Sequence, residues 1–383
     1  MSISSVPHAR RSRRPASSSP SWTSAATSAT ESTLHQLAPY IGRLKTAIAR
    51  HFIEALTKPG DLVLDPFCGS GVVPLEAALL QRRVVAGDWN PYAFVLSSAK
   101  LHAPATCDAA LSRFEARWRD SRALVAAQDL RLVPAWVRKF FHPETLRNAL
   151  AFRDACVTMK DHFLLACLLG ILHHQRPGFL SFPSSHLVPY LRDRLFPRSQ
   201  HPELYLERDV AIRMRRKICR AYRRIPTPLS ATDHRVHLCD ARSLPVGSTI
   251  DLLLTSPPYM NELDYVRDNR LRLWFIGRAL PSIPDTPKRE RESEFAGLIH
   301  DVFARLVPRV RPGGHVVLIL GEATRGRHHF DTANVAHHVL KQALKSATLT
   351  LVETIHDRIP DVRRSRRGMQ GTKLETILLY QRN

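Results

Sequence analysis

The sequence predicts an α/β fold with a mostly parallel, doubly wound sheet that is interrupted by a helical segment. Short buried strands alternate with helices up to residue 88, and the same alternation returns after residue 236. Residues 101–232, between these stretches, have the patterns of consecutive helices. Alternating strands and helices are typical of parallel sheets, because each crossover uses a helix that covers a face of the sheet.

The first strand–helix–strand unit follows from hydrophobic spacing and from its turn residues. Apolar residues at helical spacing predict a helix that Pro59-Gly60 ends, and a short apolar run then predicts a buried strand. The predicted elements are a helix at 43–56, a strand at 61–65, a helix at 72–80 and a strand at 84–86.

The later elements follow from the same signals. In the insertion we predict helices at 108–126, 143–158, 161–174 and 203–224, with a Pro/Ser-rich loop at 176–189. Beyond it we predict strands at 236–239, 250–254 and 315–320, a helix at 293–309, and final strands at 349–356 and 374–381. We expect Pro312–Gly314 to form a turn before the strand at 315–320.

Composition indicates a polyanion-binding protein. The 383 residues include 56 Lys plus Arg against 34 Asp plus Glu, a net charge of +22. Such a field favours nucleic acid through counterion release, although a basic solvated surface explains the same charge. Six scattered cysteines predict neither a disulfide framework nor a zinc site, so we expect a reducing cytoplasm and no metal. The longest apolar run, Phe163–Leu172, is too short to cross a membrane.

Residues 1–33 are rich in Ser, Thr, Ala and Pro and carry four arginines. Such a segment buries little apolar surface, so we expect a disordered basic tail. An organelle transit peptide has a similar composition, but we favour a flexible arm or a mis-assigned start codon.

The turn Asp65-Pro-Phe-Cys-Gly-Ser-Gly71 lies between the first predicted strand and its helix. Glycines there let a ligand approach the backbone, and the missing third glycine argues against a pyrophosphate. Asp88 ends the next strand, where an acid suits a ribose diol. A structural turn with a helix-capping acid is the alternative explanation.

The strand at 250–254 ends in Thr255-Ser-Pro-Pro-Tyr259. Two prolines neither extend a central strand nor start an ordinary helical turn, so they form a stiff shelf at its carboxyl end. In doubly wound sheets this edge carries the ligand site. A simple strand-ending turn is again the alternative.

Together these two motifs resemble cofactor motif I and catalytic motif IV of the amino-methylating DNA methyltransferases, which use S-adenosyl-L-methionine. The resemblance implies a Rossmann-like class I methyltransferase fold: a seven-stranded, mostly parallel sheet with an antiparallel last hairpin, here with a helical insertion. The upstream segment His35–Tyr40 resembles the family's segment over the methionine moiety. Val72-Val73 departs from the Thr-Thr that is common after this turn.

The resemblance also implies roles for individual residues. Around the methionine end it implies Asp65, Phe67, Cys68, Gly69, Ser70 and Gly71. Asp88 would hold the ribose hydroxyls, Trp89 would lie near the adenine ring, and Asp240 would accept a hydrogen bond from the adenine amine. As a lone acid after a strand, Asp240 is also a common turn residue.

The predicted catalytic residues are Ser256, Pro257, Pro258 and Tyr259. The Ser256 hydroxyl and Pro257 carbonyl would accept the protons of an exocyclic base amine, and Tyr259 would stack on the extruded base. The Ser-first motif resembles cytosine-N4 enzymes. Adenine-N6 methylation, methylation of an RNA base amine, and a non-catalytic nucleic-acid-binding relative stay open as alternatives.

The predicted organisation is a tail at 1–33, a catalytic domain at 34–100 and 233–383, and a target-recognition insertion at 101–232. Predicted partners are double-stranded DNA and a cognate restriction endonuclease, with no membrane. We expect phosphate contacts from Arg176, Arg192, Arg194 and the basic helix that contains Arg215, Arg216 and Lys217. The arginine-rich loop 361–367 would clamp the backbone beside the flipped base. For both the basic helix and this loop, a solvated surface is the alternative explanation.

Overall fold

The computed structural model describes residues 31–40, 42–174, 176–183, 195–224, 233–258, 269–277, 291–321, 323–325, 328–344, 349–358 and 374–383. Its strands are β1 (Leu62–Asp65), β2 (Arg83–Asp88), β3 (Arg235–Leu238), β4 (Ile250–Thr255), β5 (Val310–Gly321), β6 (Ala323–Arg325), β7 (His328–Phe330), β8 (Leu349–Arg358) and β9 (Leu374–Arg382). Its α-helices are α1 (Thr46–Leu56), α2 (Val72–Leu79), α3 (Pro91–Leu101), α4 (Cys107–Arg122), α5 (Ala135–Arg138), α6 (Pro143–Thr158), α7 (His162–Ile171), α8 (Val210–Ala221), α9 (Arg270–Ile276), α10 (Arg291–Leu306) and α11 (Thr332–Ala343).

Seven strands form one sheet in the order β3-β2-β1-β4-β5-β9-β8. The first five in this order are parallel, β9 pairs antiparallel with β5, and β8 pairs antiparallel with β9. This order confirms the predicted Rossmann-like class I methyltransferase fold with its antiparallel last hairpin. Strands β6 and β7 form a separate two-stranded hairpin.

The central strands β1, β4, β5 and β9 are largely buried on both faces, as expected for a sheet with helices on each side, whereas the edge strands β3 and β8 are more exposed. Leu62 and Leu64 point into a core that α10 and α11 complete, whereas Val63 points into the core of α1 and α2. This alternation places each helix pair on its own side of the sheet. The carboxyl ends of the parallel strands lie together at one edge of the sheet, between the two helical layers.

The helical region adds a further layer outside α2 and α3. Helices α4, α6, α7 and α8 share one apolar cluster with α3, with Leu75 of α2 and with Leu34 and Leu37 of the N-terminal segment. The predicted helix at 143–158 is confirmed at both ends by α6. The predicted helix at 203–224 is wrong at its start, because Pro202–Tyr205 form a 3-10 turn and Asp209 caps α8.

Two further predictions need correction. The turn expected at Pro312–Gly314 lies inside β5, where the pairing with β4 shifts between Ile250 and Leu252. Gly313 has a φ of +71°, so the chain bends there without leaving the sheet. Residues 31–33, assigned above to the tail, are buried, and Thr33 Oγ1 donates a hydrogen bond to the Ala221 carbonyl at 2.7 Å. Residues 1–30 lie outside the described part of the chain.

Candidate active site

The turn after β1 has a backbone that only glycine accommodates at two points. Gly69 and Gly71 have φ values of +48° and +73°. A Cβ on Gly71 would lie 2.7 Å from Ser97 Oγ and 2.9 Å from Ser97 Cα, so α3 packs directly on the turn. The Gly71 amide donates to the Cys68 carbonyl at 2.7 Å, which closes the turn on itself. We refer to residues 65–71 as the cofactor turn.

Asp88 at the end of β2 binds the backbone of the cofactor turn. Its Oδ2 accepts a hydrogen bond from the Gly69 amide at 2.8 Å, and its Oδ1 accepts one from the Asn90 amide at 2.9 Å. Burial raises the pKa of this carboxyl to about 6. Each oxygen accepts one described hydrogen bond, and a carboxylate oxygen can accept two. The arrangement thus fits a ribose diol at the half-buried Asp88.

Asp65 connects the cofactor turn to β4. Its Oδ1 accepts a hydrogen bond from Thr255 Oγ1 at 2.6 Å and another from the Phe67 amide at 3.2 Å. The side chain is 3% exposed, and this burial raises its pKa to about 7 against the opposing effect of the Thr255 hydrogen bond. Perturbed carboxyl groups of this kind cluster at functional sites.

The predicted catalytic segment begins one residue beyond this contact. Register pairs Leu64 of β1 with Leu253 of β4, so Ser256 follows β4 beside the cofactor turn at the carboxyl edge of the sheet. Pro257 is buried, and Ser256 and Pro258 are half-buried. Tyr259 lies outside the described residues, as do residues 260–268.

Trp89 and Asp240 lie on the other side of Asp88. The Cys239 amide donates to the Asp88 carbonyl at 3.1 Å, which holds the end of β3 against the end of β2. Asp240 is exposed, and its Oδ1 accepts a hydrogen bond from the Arg242 amide at 2.8 Å as the cap of a 3-10 turn. Trp89 is 50% exposed. Both residues are therefore accessible to an adenine ring, and Asp240 is also the turn residue that the alternative explanation describes.

Residues 31–40 and 42–45 of the N-terminal segment, here called the strap, cross over the cofactor turn. The Tyr40 hydroxyl lies 3.5 Å from the position that a Cβ on Gly69 would occupy, and the Tyr40 ring stacks on Tyr92 at 5.9 Å between centroids. The Tyr92 hydroxyl donates to the Pro39 carbonyl at 2.6 Å. The strap is thus fixed to α3 and lies against the turn, in keeping with its resemblance to the segment over the methionine moiety.

Sequence reasoning missed two features of this site. The Thr255–Asp65 hydrogen bond joins residues 190 positions apart, and no local pattern announces it. Lys100, in α3, is buried and donates to the Ser70 carbonyl within the cofactor turn. A lysine in a helix is usually exposed to solvent, so this contact becomes evident only once the structure shows that Lys100 is buried.

The basic helix α8 is only partly available to a ligand. Lys217, expected to contact phosphate, is instead buried and donates to the Gln36 carbonyl of the strap at 2.7 Å. Arg215 forms two hydrogen bonds with Glu115 of α4, at 2.6 and 2.9 Å. Arg216 is exposed, as is Arg176, whereas Arg192, Arg194 and the loop 361–367 lie outside the described residues. The phosphate-contact prediction is therefore wrong for Lys217.

A comparison with protein families points to the same part of the chain. A family model for N6/N4 methyltransferases, described as DNA methylase, matches residues 9–97, which include the strap, the cofactor turn and Asp88. No curated protein matches the chain. From the fold, the site and this match together, the chain is an S-adenosylmethionine-dependent methyltransferase.

Several solved structures are similar to this methyltransferase. TrmN from Thermus thermophilus has 14% identity and a TM-score of 0.37, over 91% of this chain and 52% of that one, so the present chain spans about half of TrmN. The rRNA methyltransferase aviRa from Streptomyces viridochromogenes has 12% identity and a TM-score of 0.35, over 94% and 96% of the two chains. SMU.1697c from Streptococcus mutans, solved in complex with SAH, has 8% identity and a TM-score of 0.34, over 89% and 99%.

Two further expectations concern metal binding and insertion into a membrane. Among the described residues, no group of three or more His, Cys, Asp or Glu side chains is arranged to hold a metal ion. Within that same part of the methyltransferase, no helix is long and apolar enough to cross a membrane.

Proposed function

We propose that this methyltransferase transfers a methyl group to the exocyclic N4 of a cytosine that is flipped out of double-stranded DNA. The observation that carries the proposal is the 2.6 Å hydrogen bond from Thr255 to Asp65. It fixes the start of Ser256-Pro257-Pro258 against the cofactor turn. A methyl donor bound at the turn and an amine bound at Ser256 would therefore meet at one edge of the sheet.

The chain's own groups suit an amine better than a carbon or oxygen nucleophile. The lone pair of a base amine is delocalised into the ring, so the site must accept hydrogen bonds from its N–H groups and direct the lone pair at the methyl group. The Ser256 hydroxyl and the Pro257 carbonyl would act as those acceptors, and the proline pair would keep them rigid. S-adenosylmethionine, when bound, supplies an electrophilic methyl group. Tyr259 would stack on the extruded base.

Three arguments support DNA as the substrate. The family that matches residues 9–97 is described as DNA methylase, the net charge is +22, and Arg176 and Arg216 are exposed in the helical insertion. Positive charge attracts the phosphate backbone without selecting a sequence. We therefore propose residues 101–232 as the target-recognition region, with the loop 361–367 as a backbone clamp.

The site residues have proposed roles in this reaction. Asp65, Phe67, Cys68, Gly69, Ser70 and Gly71 would surround the methionine end of the cofactor. Asp88 would bind the ribose hydroxyls, and Trp89 and Asp240 would contact the adenine. Cytosine is favoured over adenine because Ser256 stands where adenine-N6 enzymes resembling this chain usually have an acid or an amide.

The test is expression in a host that lacks DNA methylation, followed by single-molecule sequencing of its genome. We expect N4-methylcytosine at one recurring sequence, and no such mark with Ser256→Ala. If the methylated bases are adenines, the target is adenine N6 and not cytosine N4. Unmodified DNA beside newly methylated RNA would overturn the DNA substrate. A cognate restriction endonuclease, the other proposed partner, would be detected in extracts of the native host as cleavage of unmethylated sites.

A further inference from the structure

Lys100 is a buried cation that the methyl-transfer chemistry described above does not use. Its side chain is 1% exposed, and its Nζ donates a hydrogen bond to the Ser70 carbonyl, inside the cofactor turn. Burial lowers its pKa to about 7, because removing an ammonium from water disfavours the charged form. A fully buried lysine is rare unless it is paired, so its retention beneath the turn calls for a specific role.

A network of ionisable groups from three other elements surrounds Lys100. The strap contributes Glu31 and Arg43, which are paired at 3.0 Å, and His35, whose pKa is held well below its usual value by burial. Helix α2 contributes Glu76, whose Oε1 lies 2.8 Å from His35 Nε2 and whose Oε2 lies 3.4 Å from Arg50 of α1. The carboxylates of Glu31 and Glu76 oppose the effect of burial on the Lys100 pKa. Lys100 thus lies at the meeting point of the strap, α1, α2 and α3, where these carboxylates offset only part of the effect of burial and of Arg43 on its pKa.

The Ser70 carbonyl that Lys100 binds belongs to the most constrained part of the turn. Ser70 stands between Gly69 and Gly71, which both have positive φ. The neighbouring Gly69 carbonyl accepts a hydrogen bond from Ser97 Oγ of α3 at 3.2 Å. Two consecutive carbonyls of the turn are therefore held from α3, while Asp88 holds the Gly69 amide from the other side. Such support orients a binding site without touching the ligand.

We propose that Lys100 is a positioning residue that holds the Ser70 carbonyl and thereby sets the affinity of the cofactor turn for S-adenosylmethionine. Lys100 acts through the backbone and does not contact the reacting atoms. Its role concerns the affinity for the cofactor rather than the methyl-transfer step. The proposal rests on the cofactor part of the proposed function and does not depend on which base is methylated.

The test compares two buried cations that both bind backbone carbonyls. Lys100→Met removes the contact with Ser70, and Arg82→Met removes the contacts of Arg82 with the Thr57 and Leu80 carbonyls at the opposite edge of the sheet. Binding of S-adenosylhomocysteine is measured by calorimetry, beside the thermal midpoint of each variant. We expect both variants to melt earlier than wild type. Only Lys100→Met should weaken binding, by about tenfold or more, the range in which loss of a supporting contact weakens binding at metal sites.

Steady-state kinetics provide a readout that general destabilisation does not produce. Lys100→Met should raise KM for S-adenosylmethionine about tenfold and leave kcat within about threefold of wild type. If Lys100→Met does not fold, Lys100→Gln, which is polar but too short to replace the lysine, should show the same loss. A Kd within threefold of wild type, or an equal loss in Arg82→Met, would overturn the proposal. Intact cofactor binding without base methylation would contradict the proposed substrate alone.

Discussion

Replacing Asp65 with Asn should stabilise the protein at neutral and alkaline pH. The folded pKa of Asp65, about 7, lies above that of an unfolded aspartate, about 3.9, because the carboxylate is buried. Between these values the folded state binds a proton that the unfolded state has released, so stability falls as pH rises, and it levels off above pH 7. The amide in Asp65→Asn does not titrate, but it keeps an oxygen that can accept the hydrogen bond from Thr255. The stability of the variant therefore does not fall with pH through this group.

The magnitude follows from the same pKa. Each unit of difference corresponds to about 1.4 kcal/mol, and two units separate pH 5 from the folded pKa of about 7. The stability of Asp65→Asn relative to wild type should therefore increase by about 2–3 kcal/mol between pH 5 and pH 8. Because both proteins share their other titrating groups, the difference between them isolates Asp65.

Urea denaturation of both proteins at pH 5, 6, 7 and 8 measures this difference. Asp331→Asn, at the exposed start of α11, is the matched control, and we expect its stability to stay within about 0.5 kcal/mol of wild type. The Asp65 variant should also bind S-adenosylhomocysteine more weakly, since active sites commonly exchange stability for function. If the stability difference between the two proteins does not change with pH, the pKa of Asp65 is not raised in the folded state.

Three further predictions test other parts of the site. Gly71→Ala should destabilise the protein by about 2 kcal/mol or more in urea unfolding, because of its positive φ and its clash with Ser97, whereas Gly60→Ala, which has positive φ but open space, should cost less. Asp88→Asn should weaken S-adenosylhomocysteine binding in calorimetry by about tenfold, because a charged acceptor for the ribose is lost; unchanged binding would remove Asp88 from the cofactor site. Arg216→Ala should reduce the salt dependence of DNA binding by about one unit of slope, and an unchanged slope would exclude a phosphate contact there.

The parts of the fold that follow from local patterns were predictable. Strands β1 and β4 are short apolar runs beside turn residues, and both are confirmed within one residue at each end. Helix α3 has a start signal, Asn90 as cap followed by Pro91, yet it is not among the predicted helices. The prediction of a turn at Pro312–Gly314 was wrong, because a bulge within a strand favours the same residue types as a turn.

The polar contacts of the site were not predictable, because they depend on distant segments meeting in space. The motifs indicated Asp65 and Ser256, but the Thr255 hydroxyl that connects their strands has no signature in sequence. Lys100 and Lys217 resemble surface lysines in sequence. Lys217 is internal because the strap and α7 lie against it, and Lys100 is internal because it binds the cofactor turn. A charged residue on a helix can be assigned to solvent or to the core only once its neighbours are known.

Nucleoside mass spectrometry is the most direct test of methyl transfer to cytosine N4 in DNA. Purified protein is incubated with S-adenosylmethionine and unmethylated double-stranded DNA, which is then digested to nucleosides. We expect N4-methylcytosine that accumulates with wild type and is absent with Ser256→Ala. N6-methyladenine in its place, or unmodified DNA from a protein that binds S-adenosylhomocysteine, would contradict it.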